Sequence, residues 1–411
     1  MIHEVIIARR PRPAAINSAW EWLVEKVGNR MVPKNLVGHI RVITPGGKVA
    51  VFGHVDQKPG AVLHVHSWKV LWRAMAQGAC GFSESYIRGE VDTPDPVALV
   101  QFFARNLVVF RKAGGRIFRK RVTGGWLHKL NRNTKRGSKK NIAAHYDLGN
   151  AFFAEWLDPT MTYSSGIFRD QDENLEQAQQ RKYDTIIEAM NLKSGASVLE
   201  IGCGWGGLAE RLVTTTDASV RGITLSQRQL EFAQSRMARI GASDRATFDY
   251  TDYRDCEGSF DAICSIEMIE AVGEEYWDSY FKVLGQRLKP GGSAAIQAIT
   301  IKPEDFDYYR RGADFIQRYI FPGGMLPTVE IMQQKAEKYG FTFETVEEFA
   351  DSYADTLNLW AKSFAEKWPR IAPLGFDERF RRTWNWYLCY CEGGFREKEI
   401  EVGIYRLVKK A

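Results

Sequence analysis

Short apolar runs alternate with amphipathic stretches through most of the chain after residue 145. Four apolar runs are each short enough to be a buried strand: residues 197–202, 220–224, 260–266 and 293–299. Ser226 precedes a helical pattern with Gln229 three residues on, which is the spacing of a capping box. Residues 276–288 are amphipathic, and residues 289–292, KPGG, predict a turn into the fourth strand. This alternation predicts a mostly parallel sheet with both faces covered, an α/β fold.

Two other regions depart from this pattern. The last predicted strands, residues 341–349 and 401–408, flank about fifty residues that are too many for a simple loop. Four tryptophans lie there: Trp360, Trp368, Trp384 and Trp386. We therefore predict a helical, aromatic insert. At the other end of the chain, short β-type runs such as residues 40–43 alternate with turns and lead into a helix-like stretch at 67–77, which predicts a smaller N-terminal α+β domain.

The charge of the chain is concentrated in one segment. Residues 111–140 contain twelve Lys and Arg and no Asp or Glu, so removing them from the net charge of +6 leaves the other 381 residues at −6. Such a segment suits anionic lipid headgroups, although a solvated linker is equally compatible with the charge alone. We predict three regions: an N-terminal lipid- or membrane-associated domain (1–110), a basic linker (111–140) and a catalytic domain (141–411).

Composition excludes several other classes of protein. No apolar stretch approaches the length of about eighteen residues that spans a bilayer, and the first residues lack the pattern of a secretory signal. The six cysteines have no paired metal spacing, and Cys389 and Cys391 lack partner ligands, so we expect reduced thiols and no metal. The predicted location is the cytoplasm.

A glycine-rich loop follows the first predicted strand of the α/β region. Its glycines at 202, 204 and 207 match the G-x-G-x-x-G pattern of dinucleotide sites. However, Thr224, Leu225 and Ser226 stand where a ribose-binding carboxylate would close the second strand. Glu200 adds a negative charge beside the loop, which would repel a pyrophosphate and suits a cationic amino-acid moiety. These residues argue against a dinucleotide.

The loop segment VLEIGCGWGG at 198–207 resembles the S-adenosylmethionine loop of the cyclopropane-fatty-acyl-phospholipid synthase family, which includes the mycolic acid cyclopropane synthases. Five further segments resemble family motifs in family order: HYDLGN at 145–150, MTYSS at 161–165, GITLS at 222–226, DYRD at 252–255 and YIFPG at 319–323. The similarity extends from about residue 140 to the end, and residues 84–90 resemble the N-terminal domain of longer bacterial members. The resemblance implies a Rossmann-like, seven-stranded methyltransferase sheet.

The resemblance also implies S-adenosylmethionine as the cofactor. Eleven residues are expected to bind it: Tyr163, Ser164, Glu200, Gly202, Gly204, Gly206, Thr224, Leu225, Gln229, Asp252 and Tyr253. Asp252 has the best independent claim, because it is polar and follows a short strand near the sheet edge where ligands of open α/β sheets bind. Ser226 is interpreted as a helix cap only.

The implied chemistry makes three demands on the site. An isolated alkene is a weak nucleophile, and methyl transfer to it leaves a carbocation that must lose a proton to close a cyclopropane. The enzyme therefore needs a water-poor pocket, aromatic or dipolar groups that stabilise positive charge, and a base. The resemblance implies that this base is a bound bicarbonate, held by a carboxylate, a histidine, a tyrosine hydroxyl and main-chain groups.

Five residues are expected to form this catalytic centre. Glu270 matches the family's catalytic glutamate, and Tyr353 matches the bicarbonate tyrosine. Ser165 replaces the usual cysteine, a change that is tolerated if main-chain atoms make the contact, and Ile299 completes the expected set. Gln297 stands where the best-known synthases carry histidine, and glutamine can donate a hydrogen bond to an anion but cannot titrate. This departure leaves the fate of the cation open.

The sequence thus predicts one-carbon transfer from S-adenosylmethionine to the cis double bond of an unsaturated phospholipid acyl chain, giving a cyclopropane fatty acid. One alternative is a methylene or methyl-branched product, as in methyltransferases that feed furan fatty acids. Another is a nucleic-acid methyltransferase, but the chain has no Pro-Pro pair and only Phe118 and Trp126 interleave with the charge run. We expect no nucleic acid, an anionic phospholipid surface at the inner leaflet as partner, and leave a homodimer open.

Overall fold

The computed structural model describes residues 35–113, 133–135, 137, 148–170 and 172–410. The described residues form two compact units, an N-terminal unit up to residue 113 and a catalytic unit from residue 133. Most of the predicted basic linker, and residues 145–147 of the HYDLGN motif, lie outside the described residues. The predicted domain boundaries stay predictions.

The N-terminal unit is an α+β domain, as predicted. Its described strands are β1 (His39–Ile43), β2 (Val49–Gly53), β3 (Gly60–Val65) and β4 (Val91–Asp92), in the sheet order β2-β1-β3-β4. Its described helices are α1 (Lys69–Ile87), α2 (Pro96–Arg105) and α3 (Leu107–Ala113). The helix expected at 67–77 continues to Ile87, with a break at Gly78, whose φ of 58° is outside the helical region. Glycine accepts that conformation without a Cβ clash.

The catalytic unit contains a sheet of seven strands among the described residues, with the order β10-β11-β9-β8-β5-β6-β7. These strands are β5 (Ser197–Ile201), β6 (Ser219–Thr224), β7 (Ala246–Tyr250), β8 (Phe260–Ile266), β9 (Leu288–Ile301), β10 (Phe341–Glu348) and β11 (Ile400–Lys409). Strands β5 to β9 pair in parallel, whereas β11 runs antiparallel to both β9 and β10. The predicted seven-stranded, Rossmann-like sheet is confirmed.

Helices cover this sheet and form the predicted insert. Outside the insert, the described helices are α4 (Asn150–Trp156), α5 (Leu175–Met190), α6 (Gly207–Thr215), α7 (Gln227–Arg239), α8 (Ile269–Val272), α9 (Trp277–Arg287), α10 (Pro303–Tyr309), α11 (Phe315–Tyr319) and α12 (Val329–Lys338). Between β10 and β11 lie two long helices, α13 (Ala350–Ile371) and α14 (Glu378–Arg396). The helical, aromatic insert is therefore confirmed.

Two short segments form structures that differ from those predicted from their sequences. Ser226 caps α7 by accepting a hydrogen bond from the Gln229 N–H at 3.3 Å, but the Gln229 side chain bonds Thr224 rather than completing a capping box. The turn expected at 289–292 is instead an irregular part of β9, where the register with β8 shifts. Gly292 permits this close approach, because a Cβ there would lie 2.6 Å from the carbonyl oxygen of Asp261.

Candidate active site

The candidate site lies at the carboxyl edge of the parallel strands. β5 leads into the glycine loop, β6 ends at Thr224, and β8 is followed at once by Glu267. β9 pairs in parallel with β8 and brings Gln297 opposite Ile266. Parallel strands deliver their carboxyl ends to one edge, and the ligands of open α/β sheets bind there.

The glycine loop between β5 and α6 has a backbone that requires glycine. Gly202, Gly204 and Gly206 have φ values of 84°, 50° and 79°, all in the left-handed region. A Cβ at Gly202 would also lie 3.1 Å from the Met268 side chain. The loop therefore keeps its main chain open to a ligand that approaches closely.

Glu200 provides a buried carboxyl group beside this loop. The residue is almost fully buried at the end of β5, and its Oε2 has no hydrogen-bond partner within the described part of the chain. Burial raises the pKa of Glu200 to about 8. A buried carboxylate oxygen that lacks a donor is costly, so a cationic or hydrogen-bonding ligand would stabilise it. This fits an amino-acid ammonium group.

The polar residues after β6 form a small network. Thr224 Oγ1 donates to Gln229 Oε1 at 3.0 Å and accepts from the Ser226 N–H at 3.1 Å. Thr224 and Gln229 are buried, and Leu225 between them is half-buried. The network fixes the chain where β6 passes into α7.

The two expected cofactor residues after β7 have different surroundings. Arg254 holds the buried Asp252 carboxylate by two side-chain hydrogen bonds, at 2.8 and 2.7 Å, and also donates to the Asn133 carbonyl at 2.9 Å. Burial opposes ionisation of Asp252, but the Arg254 hydrogen bonds prevail and lower its pKa. Tyr253 packs edge-on against Tyr280, with ring centroids 5.7 Å apart.

Ser164 contacts a buried lysine that sequence reasoning missed. Lys182 is fully buried in α5, and its Nζ donates to Ser164 Oγ at 2.6 Å. Burial lowers the pKa of Lys182 to about 8, although Glu267, Asp158 and Glu200 oppose this effect. A lysine in an amphipathic helix is normally exposed, so no local sequence signal indicated its burial.

The centre of the site is the carboxylate of Glu267. Three donors bind it: the Tyr353 hydroxyl to Oε2 at 2.6 Å, Gln297 Nε2 to Oε1 at 2.7 Å, and the Ser165 main-chain N–H to Oε1 at 2.9 Å. The Ser165 hydroxyl turns away and donates to the Gly166 carbonyl. Burial raises the pKa of Glu267, and these donors oppose the rise.

Glu270 lies beside this cluster and makes different contacts. Its Oε1 accepts a hydrogen bond from the Ile299 N–H at 2.5 Å, and its Oε2 is buried with no hydrogen-bond partner among the described residues. Burial, followed by the negative charge of Glu267, raises the pKa of Glu270 to about 8. Both carboxyl groups therefore hold a proton more readily than an exposed glutamate does, and Glu267 is opposed in this by its three donors.

The structure thus divides the expected catalytic set between two carboxyl groups. It brings Ile299 to Glu270, but it brings Tyr353, Gln297 and Ser165 to Glu267, three residues earlier. Sequence reasoning missed Glu267. The available signal was a second glutamate within the same short segment after β8.

An aromatic wall adjoins the Glu267 cluster. It comprises the rings of Phe153, Trp156, Tyr163, Tyr353, Trp360, Trp384 and Tyr387. Trp360 contacts the Tyr353 and Tyr163 rings at centroid distances of 6.3 and 5.3 Å, and the Tyr163 and Tyr387 hydroxyls lie 2.8 Å apart. The wall is supplied mainly by α13 and α14. Tyr163 therefore lies in the wall as well as beside Ser164.

Comparison with known proteins identifies the family. A family model described as mycolic acid cyclopropane synthetase matches residues 133–404, which is well over half of the chain. The chain belongs to this family. It is an enzyme of the methyltransferase type, and the resemblance found in its motifs is confirmed.

Individual relatives of the cyclopropane synthetase family cover most of the chain. A tuberculostearic acid methyltransferase, UfaA1, of Mycobacterium tuberculosis is 36% identical over 85% of this chain and 83% of its own length. The cyclopropane-fatty-acyl-phospholipid synthase of Escherichia coli is 36% identical over 80% of this chain and 83% of its own length. The crystal structure of the mycolic acid cyclopropane synthase CmaA1, complexed with SAH and CTAB, superposes with a TM-score of 0.62, at 31% identity, over 66% of this chain and 98% of that one.

The described residues contain neither a helix suited to span a membrane nor a cluster of side chains suited to bind a metal ion. None of their helices combines the length and apolarity needed to cross a bilayer. No group of three or more His, Cys, Asp and Glu residues among them could hold a metal ion. In the same residues, Cys389 is buried and Cys391 half-buried, and neither is joined in a disulfide bond.

The raised pKa of Glu270 predicts a pH-dependent stability. A carboxyl group whose pKa rises on folding contributes stability below its unfolded value of about 4.5, and this contribution is lost as the pH rises through about 8. Glutamine cannot ionise, so the Glu270→Gln variant should not lose this contribution. Between pH 5 and 8, the free energy of unfolding of the wild type should therefore fall more steeply than that of the variant, by up to roughly 1 kcal/mol per pH unit. Urea unfolding at several pH values measures this.

The exposed Glu257, which precedes β8, offers a matched control. Glu257→Gln should keep the wild-type pH dependence. Parallel curves for the wild type and Glu270→Gln would contradict the assigned pKa.

Proposed function

We propose that this enzyme transfers a one-carbon unit from S-adenosylmethionine to the cis double bond of an unsaturated phospholipid acyl chain and forms a cyclopropane fatty acid. The observation that carries the proposal is a hydrogen-bonded carboxylate, Glu267, adjoining an aromatic wall and lying at the same sheet edge as the glycine loop. Two relatives named for fatty-acyl products, at 36% identity over at least 80% of the chain, support the lipid substrate.

S-adenosylmethionine fits the residues at this edge. The partnerless oxygen of Glu200 suits the ammonium group, and Gly202, Gly204 and Gly206 leave room for a nucleoside against the main chain. Asp252, fixed by Arg254, is placed to accept hydrogen bonds from hydroxyl groups. We assign the remaining contacts to the residues expected from the sequence: Tyr163, Ser164, Thr224, Leu225, Gln229 and Tyr253. When bound, the cofactor supplies an electrophilic methyl group.

Residues of the protein must then stabilise the positive charge that forms on the lipid. The ring faces of Trp360, Tyr163 and Tyr353 stabilise a cation through their quadrupoles, each by about 1–2 kcal/mol when water is excluded. The Glu267 carboxyl group, held by three donors beside these rings, adds electrostatic stabilisation when it is ionised. The pKa of Glu270 is raised to about 8, so this group holds its proton more readily than an ordinary carboxyl and limits the buried negative charge at the site.

A methyl-branched or methylene product is the second candidate. Gln297, which cannot titrate, contacts Glu267 at the position where the best-known synthases have histidine, so the route of the departing proton differs in this chain. The relative named tuberculostearic acid methyltransferase favours the same alternative. Both candidates share the one-carbon transfer. A methyl-branched alkene forms if a chain proton leaves, and a methylene group forms if a hydride shifts to the neighbouring cationic carbon before a methyl proton leaves.

We further propose that the enzyme works at the cytoplasmic face of a membrane. Residues 111–140, with twelve basic and no acidic side chains, would attract anionic headgroups at about 1 kcal/mol for each Lys or Arg near the surface. An acyl chain embedded in a bilayer is reachable only from such a position. Light scattering would test whether the protein forms a homodimer.

The product can be identified by lipid analysis. In a host that lacks its own cyclopropane synthase, expression of this chain should convert monounsaturated phospholipid acyl chains into species that are one methylene heavier and resist hydrogenation. With trideuteromethyl-labelled cofactor and purified enzyme, a cyclopropane retains two deuterium atoms, whereas a methyl branch formed by loss of a chain proton retains three. Mass spectrometry after gas chromatography separates these outcomes, and the absence of any labelled lipid would contradict the proposal.

Replacement of Glu270 tests its part in the chemistry. Glu270→Gln removes a proton-exchanging group beside Glu267 while keeping its size and should lower kcat by about 100-fold or more. The affinity for S-adenosylhomocysteine, measured by calorimetry, should stay within about twofold of the wild type. Glu257→Gln serves as the exposed control and should keep normal turnover. Near-normal turnover of Glu270→Gln would remove Glu270 from the mechanism.

Charge removal from the basic segment tests membrane attachment. Substitution of Arg116, Arg119, Lys120 and Arg121 by Gln should weaken cosedimentation with phosphatidylglycerol vesicles by about tenfold or more, because four favourable headgroup contacts are lost. Binding of the wild type should likewise weaken as salt screens the charges. The same substitutions should not affect turnover of detergent-solubilised lipid. Unchanged, salt-insensitive binding would refute the electrostatic attachment.

A further inference from the structure

The site around Glu267 does not fit the bicarbonate that the family resemblance implies. The Tyr353 hydroxyl and the main-chain N–H groups of Ser165 and Ile299 each have one hydrogen to donate, and each already donates it to a glutamate. Gln297 also directs its amide to Glu267. The four donors expected for the anion therefore serve the protein's own carboxyl groups. A second anion here would lack donors and would meet the charge of Glu267.

The backbone of Glu267 is held in a conformation that disfavours a side chain. Its φ of 47° lies in the left-handed region, where a residue other than glycine costs about 1 kcal/mol or more. The Glu267 N–H donates to the Gln297 carbonyl at 2.8 Å, which fixes the peptide in this position. Strained backbone conformations of this kind are common at functional sites. Here the conformation directs the Glu267 carboxylate toward its three donors.

We propose that the Glu267 carboxylate is itself the proton acceptor of the reaction and takes the place of a bound bicarbonate. This inference rests on the proposed function and adds the identity of its base. Tyr353, Gln297 and Ser165 are positioning residues, because they orient the carboxylate. Burial raises the pKa of Glu267, which makes its carboxylate a stronger proton acceptor than an exposed one.

The proposed step balances in atoms and electrons. The π electrons of the alkene form a carbon–carbon bond to the incoming methyl carbon, and the bond from that carbon to sulfur breaks with its electron pair on sulfur. The lipid cation then transfers one proton to Glu267. The released C–H electrons form the third bond of the ring or, in the alternative product, a new double bond. Glu267, now neutral, returns its proton to water before the next turnover.

Removal of the Glu267 side chain tests the inference. In Glu267→Gly, relief of the left-handed backbone offsets part of the stability lost with the three hydrogen bonds to the carboxylate, and thermal unfolding checks that the variant is folded. In buffer freed of carbon dioxide, we expect the wild type to keep its turnover within about twofold. Glu267→Gly should lose about 100-fold or more, and added bicarbonate should restore at least about tenfold, because the freed donors can then hold it.

Binding of bicarbonate separates this inference from the proposed function. Carbon-13 NMR of labelled bicarbonate should show binding to Glu267→Gly and none to the wild type, whether or not lipid is turned over. If the wild type binds bicarbonate or requires it, or if Glu267→Gly keeps normal turnover without it, the inference is wrong. If neither protein modifies unsaturated phospholipid but the binding contrast holds, the proposed function fails while the displacement of bicarbonate stands.

Discussion

The hydrogen bonds to the Glu267 carboxylate are the constraint on which the site depends. A buried carboxylate is tolerated only if donors replace its water, and here the donors come from three separate parts of the chain: the segment before α5, strand β9 and helix α13. These segments must therefore fold against the end of β8 together. The same contacts join the aromatic insert to the sheet, because Tyr353 both binds Glu267 and packs against Trp360.

The sheet supplies the second level of organisation. Parallel pairing of β5, β6, β8 and β9 brings the glycine loop, the Thr224 network and the two glutamates to one edge. The insert between β10 and β11 then contributes most of the aromatic wall. The sheet edge thus provides the polar groups of the site, and the helical insert provides most of its aromatic groups. No single sequence motif contains both.

Much of this arrangement could be predicted from the sequence, because periodicity and motif order depend on local spacing. Most of the strands, the helical insert and the loop after β5 follow from such patterns, whereas the seven-stranded sheet was implied by the family resemblance. The choice between Glu267 and Glu270 could not be made in that way. It depends on the left-handed backbone at Glu267 and on rotamers that only the packed neighbours define. The burial of Lys182 has the same origin, since its partners Ser164 and Glu267 are distant in sequence.

The charge balance around Lys182 has a consequence for the cofactor cycle. Two cations, Lys182 and Arg236, lie near three acidic groups, Asp158, Glu200 and Glu267, so the acidic groups outnumber the cations. A sulfonium donor enters as a cation and leaves as a neutral thioether. Coulombic attraction therefore favours binding of the sulfonium donor over binding of the thioether product. The product is released more easily because it no longer carries the positive charge that the acidic groups attract.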